Sequence, residues 1–221
     1  MNYCVFSCTR KADEKETLLY KSCLELNDVD LFIKTNNTEG LSKSYNKFLY
    51  SKEAEKYDYV IFVHDDVFID DGKLDFKLTN AFKQYDIVGL AGCVNPTVQK
   101  PALWHLMAGG FQSGNLRGIV GHYDKNDSFY FTNFGPTPSR VVILDGLFLA
   151  VNLKKVKEVF WKFNEDYDFH HYDIASCIDA NNKKLKLGVC PVYVIHKSPG
   201  LLNINDQNYT DSERKFLEYY S

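Results

Sequence analysis

A chain of 221 residues, 45% hydrophobic and 25% charged, holds material for one sizeable core and little for a second domain. A formal net charge of −3 carries no broad signature for nucleic acid or anionic lipid, although a local basic patch stays open. The apolar start of MNYCVFSCTRKADEKE is too short for a signal segment or a membrane span, and the six cysteines (4, 8, 23, 93, 177, 190) form no CxxC pair, which reads as a reducing, cytoplasmic protein with buried free thiols.

In chain order, Tyr3 to Cys8 is a short β-prone run, and Ala12 to Leu26 places Leu18, Leu19, Cys23 and Leu26 at helical spacing. Asp30 to Lys34 reads as a second strand, Leu41 to Tyr50 as a helix, and Tyr59 to Val63 as a third, fully buried strand. Such alternation predicts a mostly parallel sheet flanked by helices. A helix from Lys73 to Tyr85 leads into a fourth strand, Ile87 to Gly92. Between Asn95 and Arg140 periodicity is weak, so loops and short antiparallel strands are predicted. Strands Val141 to Leu144 and Leu147 to Val151 then flank the Asp145-Gly146 turn. Helices near Lys154 to Trp161 and Tyr172 to Asn181 follow, with strand material at Lys186 to Val189 and Val192 to Ile195. Asn203 to Tyr209 reads as a mobile polar tail before an amphipathic helix from Ser212 to Tyr220. Residues 1–200 are therefore expected to form one α/β domain, with 201–221 as a tail carrying a short helix.

The chemistry concentrates where the buried strand Tyr59 to Val63 ends in His64-Asp65-Asp66. Open α/β sheets bind ligands at this carboxyl edge. Two adjacent carboxylates there either cap the following turn or await a hard divalent cation carrying a diphosphate.

The segment resembles the acidic motif of GT-A glycosyltransferases, particularly the small bacterial and viral members related to family 2, with His64 in place of the first Asp of Asp-x-Asp. Three further segments fall in that family's order. Asn36 to Asn46 is similar to the glycine-containing stretch bordering the donor site, Leu144 to Ala150 to the strand-turn-strand before the acceptor-side helix, and Phe169 to Cys177 to the start of the catalytic helix. The resemblance implies a single GT-A, Rossmann-like domain with a small antiparallel acceptor-side portion. By it, Asp66 and His196 bind Mn2+ or Mg2+, and Asp65 lies near the ribose or phosphates. Thr9, Arg10, Asn36 and Asn37 border the nucleotide, and Asp145 meets the donor sugar or acceptor. Asp173 acts as general base, with Glu165 and Asp166 as runners-up. Trp104 offers a ring for a sugar to pack on, or is plain core.

The activity implied is transfer of a sugar, with inversion, from a nucleoside-diphosphate sugar to a saccharide or glycolipid hydroxyl, as in polysaccharide biosynthesis. Nucleotidyl transfer to a sugar phosphate is an alternative class, disfavoured because Ser7 to Lys11 contains no glycine. A non-catalytic carbohydrate- or nucleotide-binding domain of the same fold is another. The lysines 154, 155, 157 and 162, with 183, 184 and 186, are either solvated faces or a site for an anionic acceptor, a membrane surface or nucleic acid.

Overall fold

The N-terminal run forms β1 (Tyr3–Cys8), buried along its whole length. In the computed structural model, which describes residues 2–26, 29–97, 100–124, 126–197 and 203–220, a 3-10 turn and α1 (Leu18–Cys23) follow it. The single helix predicted from Ala12 to Leu26 is broken at Thr17. Its hydroxyl donates to Glu14 O at 2.7 Å and accepts from Tyr20 N at 3.1 Å, closing one turn and capping the next. β2 (Asp30–Lys34), α2 (Leu41–Leu49), β3 (Tyr59–Val63), β4 (Val67–Ile69) and α3 (Leu74–Ala81) come next.

The apolar run after α3 is two strands rather than one. β5 (Ile87–Gly89) and β6 (Ala91–Cys93) part at Leu90 and enter different sheets. β6 can pair closely with its neighbour because Gly92 has no Cβ to meet the Ile143 carbonyl. The middle region holds α4 (Trp104–Met107) and a long hairpin, β7 (Leu116–Tyr123) and β8 (Phe129–Gly135), in place of the short strands expected. Phe129, Tyr130 and Phe131 are all exposed, so β8 shows no apolar/polar alternation in its sequence. β9 (Ser139–Val141), β10 (Ile143–Leu144), β11 (Phe148–Asn152), α5 (Leu153–Glu158), α6 (Tyr172–Asn182), β12 (Leu187–Val189), β13 (Val194–His196) and α7 (Gln207–Tyr220) complete the chain.

The larger sheet runs β2-β1-β3-β11-β5-β12-β9. β1 pairs parallel with β2 and β3, whereas β11 lies antiparallel between β3 and β5. The carboxyl ends of β1, β2 and β3 thus share one edge, and the chain leaves β11 at the opposite edge. The second sheet runs β10-β6-β7-β13-β4, with β8 on β7, and is antiparallel except where β13 meets β7. Its six strands make the antiparallel part larger than the sequence suggested.

The core centres on Tyr45, Phe62 and Phe163, whose rings contact one another, and on Trp161 against Phe163, at centroid distances of 4.8–5.2 Å. Burying each such ring is worth about 2–3 kcal/mol. All six cysteines are buried and free. α7 begins at Gln207, earlier than predicted, because Tyr209 is already core, and it buries Glu213 and Phe216 as well. Glu213 accepts hydrogen bonds from the Ala102 amide (2.8 Å) and the Tyr209 hydroxyl (3.2 Å). Among the described residues, no helix is long and apolar enough to cross a membrane.

Candidate functional site

β3 delivers His64, Asp65 and Asp66 to the sheet edge, and the turn there feeds β4. Because β4 pairs antiparallel with β13, His196 falls opposite Val67 and returns to the acidic turn 130 residues later in the sequence. Lys197 N donates to Asp66 O at 2.9 Å, fixing that return, and His196 Nε2 lies 3.4 Å from Asp66 Oδ2. One ligand atom from each of His64, Asp66 and His196 lies within 4.8 Å of the others.

Burial pushes the Asp66 carboxyl up, but contact with His196 and the nearby His64 outweigh it and hold the group below the usual carboxylate range. Burial likewise pushes His196 down, and Asp66 more than reverses this. For His64 burial wins, so it is held in the neutral form. Its Nε2 lies 3.1 Å from the Tyr172 hydroxyl. That hydroxyl donates its one proton to Gly146 O at 2.9 Å, so it accepts from His64, whose free lone pair is then on Nδ1. Asp66 Oδ1 is buried without a hydrogen-bond partner, an arrangement that costs about 1–3 kcal/mol or more for a charged group. Two imidazoles and a carboxylate with an orphaned oxygen fit a divalent cation, which would replace the proton shared by Asp66 and His196.

Asp173 lies in the first turn of α6, beside the β10–β11 turn. Its Oδ2 accepts from Gly146 N at 3.0 Å and its Oδ1 from Ile174 N at 2.8 Å. Burial, then the negative charge of Asp145, pushes its pKa up to about 7. Asp145 itself is fully engaged, accepting from Leu147 N (2.9 Å) and from the Trp104 indole N–H (2.6 Å). Trp104 is therefore not an open sugar platform. The residue is only 6% exposed, and its indole N–H holds Asp145 in place. Gly146 is required for close approach, because a Cβ there would collide with the Tyr172 hydroxyl and ring.

On the donor side, the loops after β1 and β2 are stitched together by Asn36 N to Lys11 O and Asn37 N to Thr9 O, both 2.9 Å. The Thr9 hydroxyl donates to Asp65 Oδ2 at 2.6 Å, so these two residues brace each other. Asn37 is buried, its amide donating to Glu39 O and its carbonyl accepting from Ser44. Asn36, in a left-handed conformation (φ 48°), and Arg10 are exposed. Glu165 accepts from Asn46 at 2.9 Å, and Asp166 pairs with Lys215 at 3.3 Å. His171 sits under α7 with Nδ1 2.8 Å from the Ser212 hydroxyl.

Several residues that sequence reasoning did not single out surround the centre. Tyr172 joins His64 to Gly146, and half-exposed Phe169 stacks 6.1 Å from the His64 ring. His122, opposite His196 on β7, has its ring 5.8 Å away. Only the alignment of β7 with β13 reveals it.

A family model described as "Glycosyltransferase like family" matches residues 9–220. The chain belongs to this family. Among solved structures, this glycosyltransferase is similar to A197 from STIV at 13% identity and a TM-score of 0.51, covering 94% of this chain and 100% of that one. It is also similar to S. aureus TarS residues 1–349 in complex with UDP, at 12% identity and a TM-score of 0.53, covering 90% of this chain. The glycosyltransferase spans 61% of that TarS chain and 37% of a longer TarS structure. These likenesses establish a GT-A fold. No curated protein sequence matches the chain.

Proposed function

We propose that this glycosyltransferase moves a hexosyl or pentosyl group from a nucleoside-diphosphate sugar to an acceptor hydroxyl, with inversion at the anomeric carbon. The observation that carries the reading is the pairing of a cation-fitting triad, His64, Asp66 and His196, with a carboxyl group of raised pKa, Asp173, across the Asp145-Gly146 turn. Asp173 takes the acceptor's proton as that oxygen bonds to the anomeric carbon, and the bond from this carbon to the diphosphate breaks with its electron pair leaving on phosphate. A cation held by the triad would neutralise the charge gathering on that leaving group. Two imidazoles favour Mn2+ over Mg2+, which prefers oxygen ligands. Asp145 positions the turn that presents Gly146 N to Asp173, and Asp65 with Thr9 braces the donor loop.

UDP in the TarS complex supports a uridine donor. The acceptor we assign is a saccharide or glycolipid of polysaccharide biosynthesis, and the free buried cysteines support a cytoplasmic setting. Residues 1–200 constitute the transferase domain in this reading, and 201–221 its C-terminal extension.

Calorimetric titration with UDP, GDP, ADP and CDP, with and without Mn2+, tests the site. Mn2+-dependent binding of one nucleotide, weakened at least about tenfold in Asp66→Ala, is expected. A folded protein that binds none of the four, or binds one equally well without metal and in the variant, would remove the metal-assisted donor site.

A further inference from the structure

Far from the cleft, α5 and α6 end side by side in matching turns. After α5, Phe160 N bonds to Lys157 O (3.2 Å) and Trp161 N to Val156 O (2.9 Å). After α6, Lys184 N bonds to Asn181 O (2.9 Å) and Leu185 N to Ala180 O (3.0 Å). Both are Schellman turns, and each buries the residue that follows, Trp161 or Leu185. The left-handed position of such a turn normally belongs to glycine. Here it holds Phe160 (φ 52°) and Lys184 (φ 64°). A bulky side chain in that conformation is strained, and Phe160 gains no burial in return, its surface being 81% exposed.

The turns are locked together. Lys183 Nζ donates to Val159 O at 3.0 Å, and the Tyr50 hydroxyl donates to Trp161 O at 2.6 Å, so Phe160 is held outward from both sides. Asn152 and Lys186 both donate backbone N–H bonds to Asp86, bringing the start of α5 to the start of β12. The segments 153–162 and 183–186 together carry seven lysines and one acid, in a chain whose net charge is −3. Glu158, that acid, is 3.7 Å from Lys155. Lysines near helix C-termini answer the helix dipole, but this does not account for an exposed phenyl ring in a position suited to glycine.

We propose that this face is a docking surface for an anionic membrane, with Phe160 entering the headgroup region and the lysines engaging lipid phosphates and carboxylates. An aromatic ring projecting from a basic face suits the boundary between charged headgroups and acyl chains. This inference is independent of the reading of the cleft.

The test is co-sedimentation with phosphatidylcholine vesicles, alone or with about a third phosphatidylserine, a composition that supplies negative surface potential. The protein is expected to pellet with the anionic vesicles only and to be released by added salt. Phe160→Gly should weaken partitioning about tenfold and Lys184→Gly about fivefold. Both substitutions install the residue the backbone favours, so melting temperatures should hold or rise, and loss of binding cannot be put down to unfolding. Failure to pellet with anionic vesicles, or equal partitioning of Phe160→Gly and the parent protein, would overturn the assignment. Tighter binding to a single-stranded oligonucleotide than to anionic vesicles would overturn it too, in favour of a nucleic-acid surface.

Discussion

Asp173 carries the sharpest expectation at the scale of single residues. Its pKa is pushed up to about 7 in the folded chain, above the ordinary value of 3.8. Between these values the native state holds a proton that the unfolded chain releases, so the group's contribution makes stability fall as pH rises through this window. Asp173→Asn, which cannot titrate, should therefore lose this pH dependence, its stability relative to the parent rising by a few kcal/mol between about pH 4 and pH 8, at about 1.4 kcal/mol for each pH unit between the two values. Its kcat should fall roughly 10²–10⁴-fold, and the rise of kcat/KM through about pH 7 should disappear. An unchanged profile with retained kcat would move the general base elsewhere. The local sequence singled out Asp66 and His196 because each follows a recognisable apolar run, whereas Asp173 was singled out through the resemblance of Phe169 to Cys177 to the start of a catalytic helix. It could not show that the side chains of Thr9, Asn37 and Asp145 are already engaged by neighbours, since those partners come from distant segments or from the turn itself.

Elements show the same division between local and long-range information. β1 to β3 and α2 were legible because each obeys one period throughout, whereas the helical spacing from Ala12 to Leu26 runs on across the break at Thr17, and the run Ile87 to Cys93 serves two sheets and looks continuous. The β7–β8 hairpin was hidden because its outer strand exposes consecutive aromatics, and its pairing brings His122 to His196. The β10–β11 turn is the element on which the centre depends. Gly146→Ala would drive a methyl group into Tyr172 and break the bond that orients His64. A stability loss of about 1–3 kcal/mol and a Mn2+ dissociation constant raised about tenfold are expected, measured by thermal melting and calorimetry. Gly72→Ala, where an added Cβ would meet nothing within 4 Å, is the matched control and should leave metal binding unchanged.

For the whole molecule, the last helix is integral to the packing. Phe216 is 2% exposed and stacks on His171, one residue before α6 begins. Phe216→Ala should cost about 3–5 kcal/mol, seen as a large drop in melting temperature. A drop no larger than that of an exposed substitution such as Tyr219→Ala would show that α7 is only loosely attached. The amphipathic pattern announced this helix, but its attachment could not be read from it, because its contacts are His171, Ala102 and Tyr167, all remote in sequence.

The reversed direction of β11 sets a distance. Since that strand carries the chain away from the cleft before α5 and its lysines begin, the cleft and the proposed docking face stand at opposite ends of a five-residue strand, roughly 17 Å apart at the usual rise per residue. An enzyme resting on a bilayer by its lysine face would hold its reaction centre aloft, opening toward solvent. Headgroups of the supporting leaflet would lie out of reach, and the acceptor would be the far end of a chain long enough to bend back over the protein.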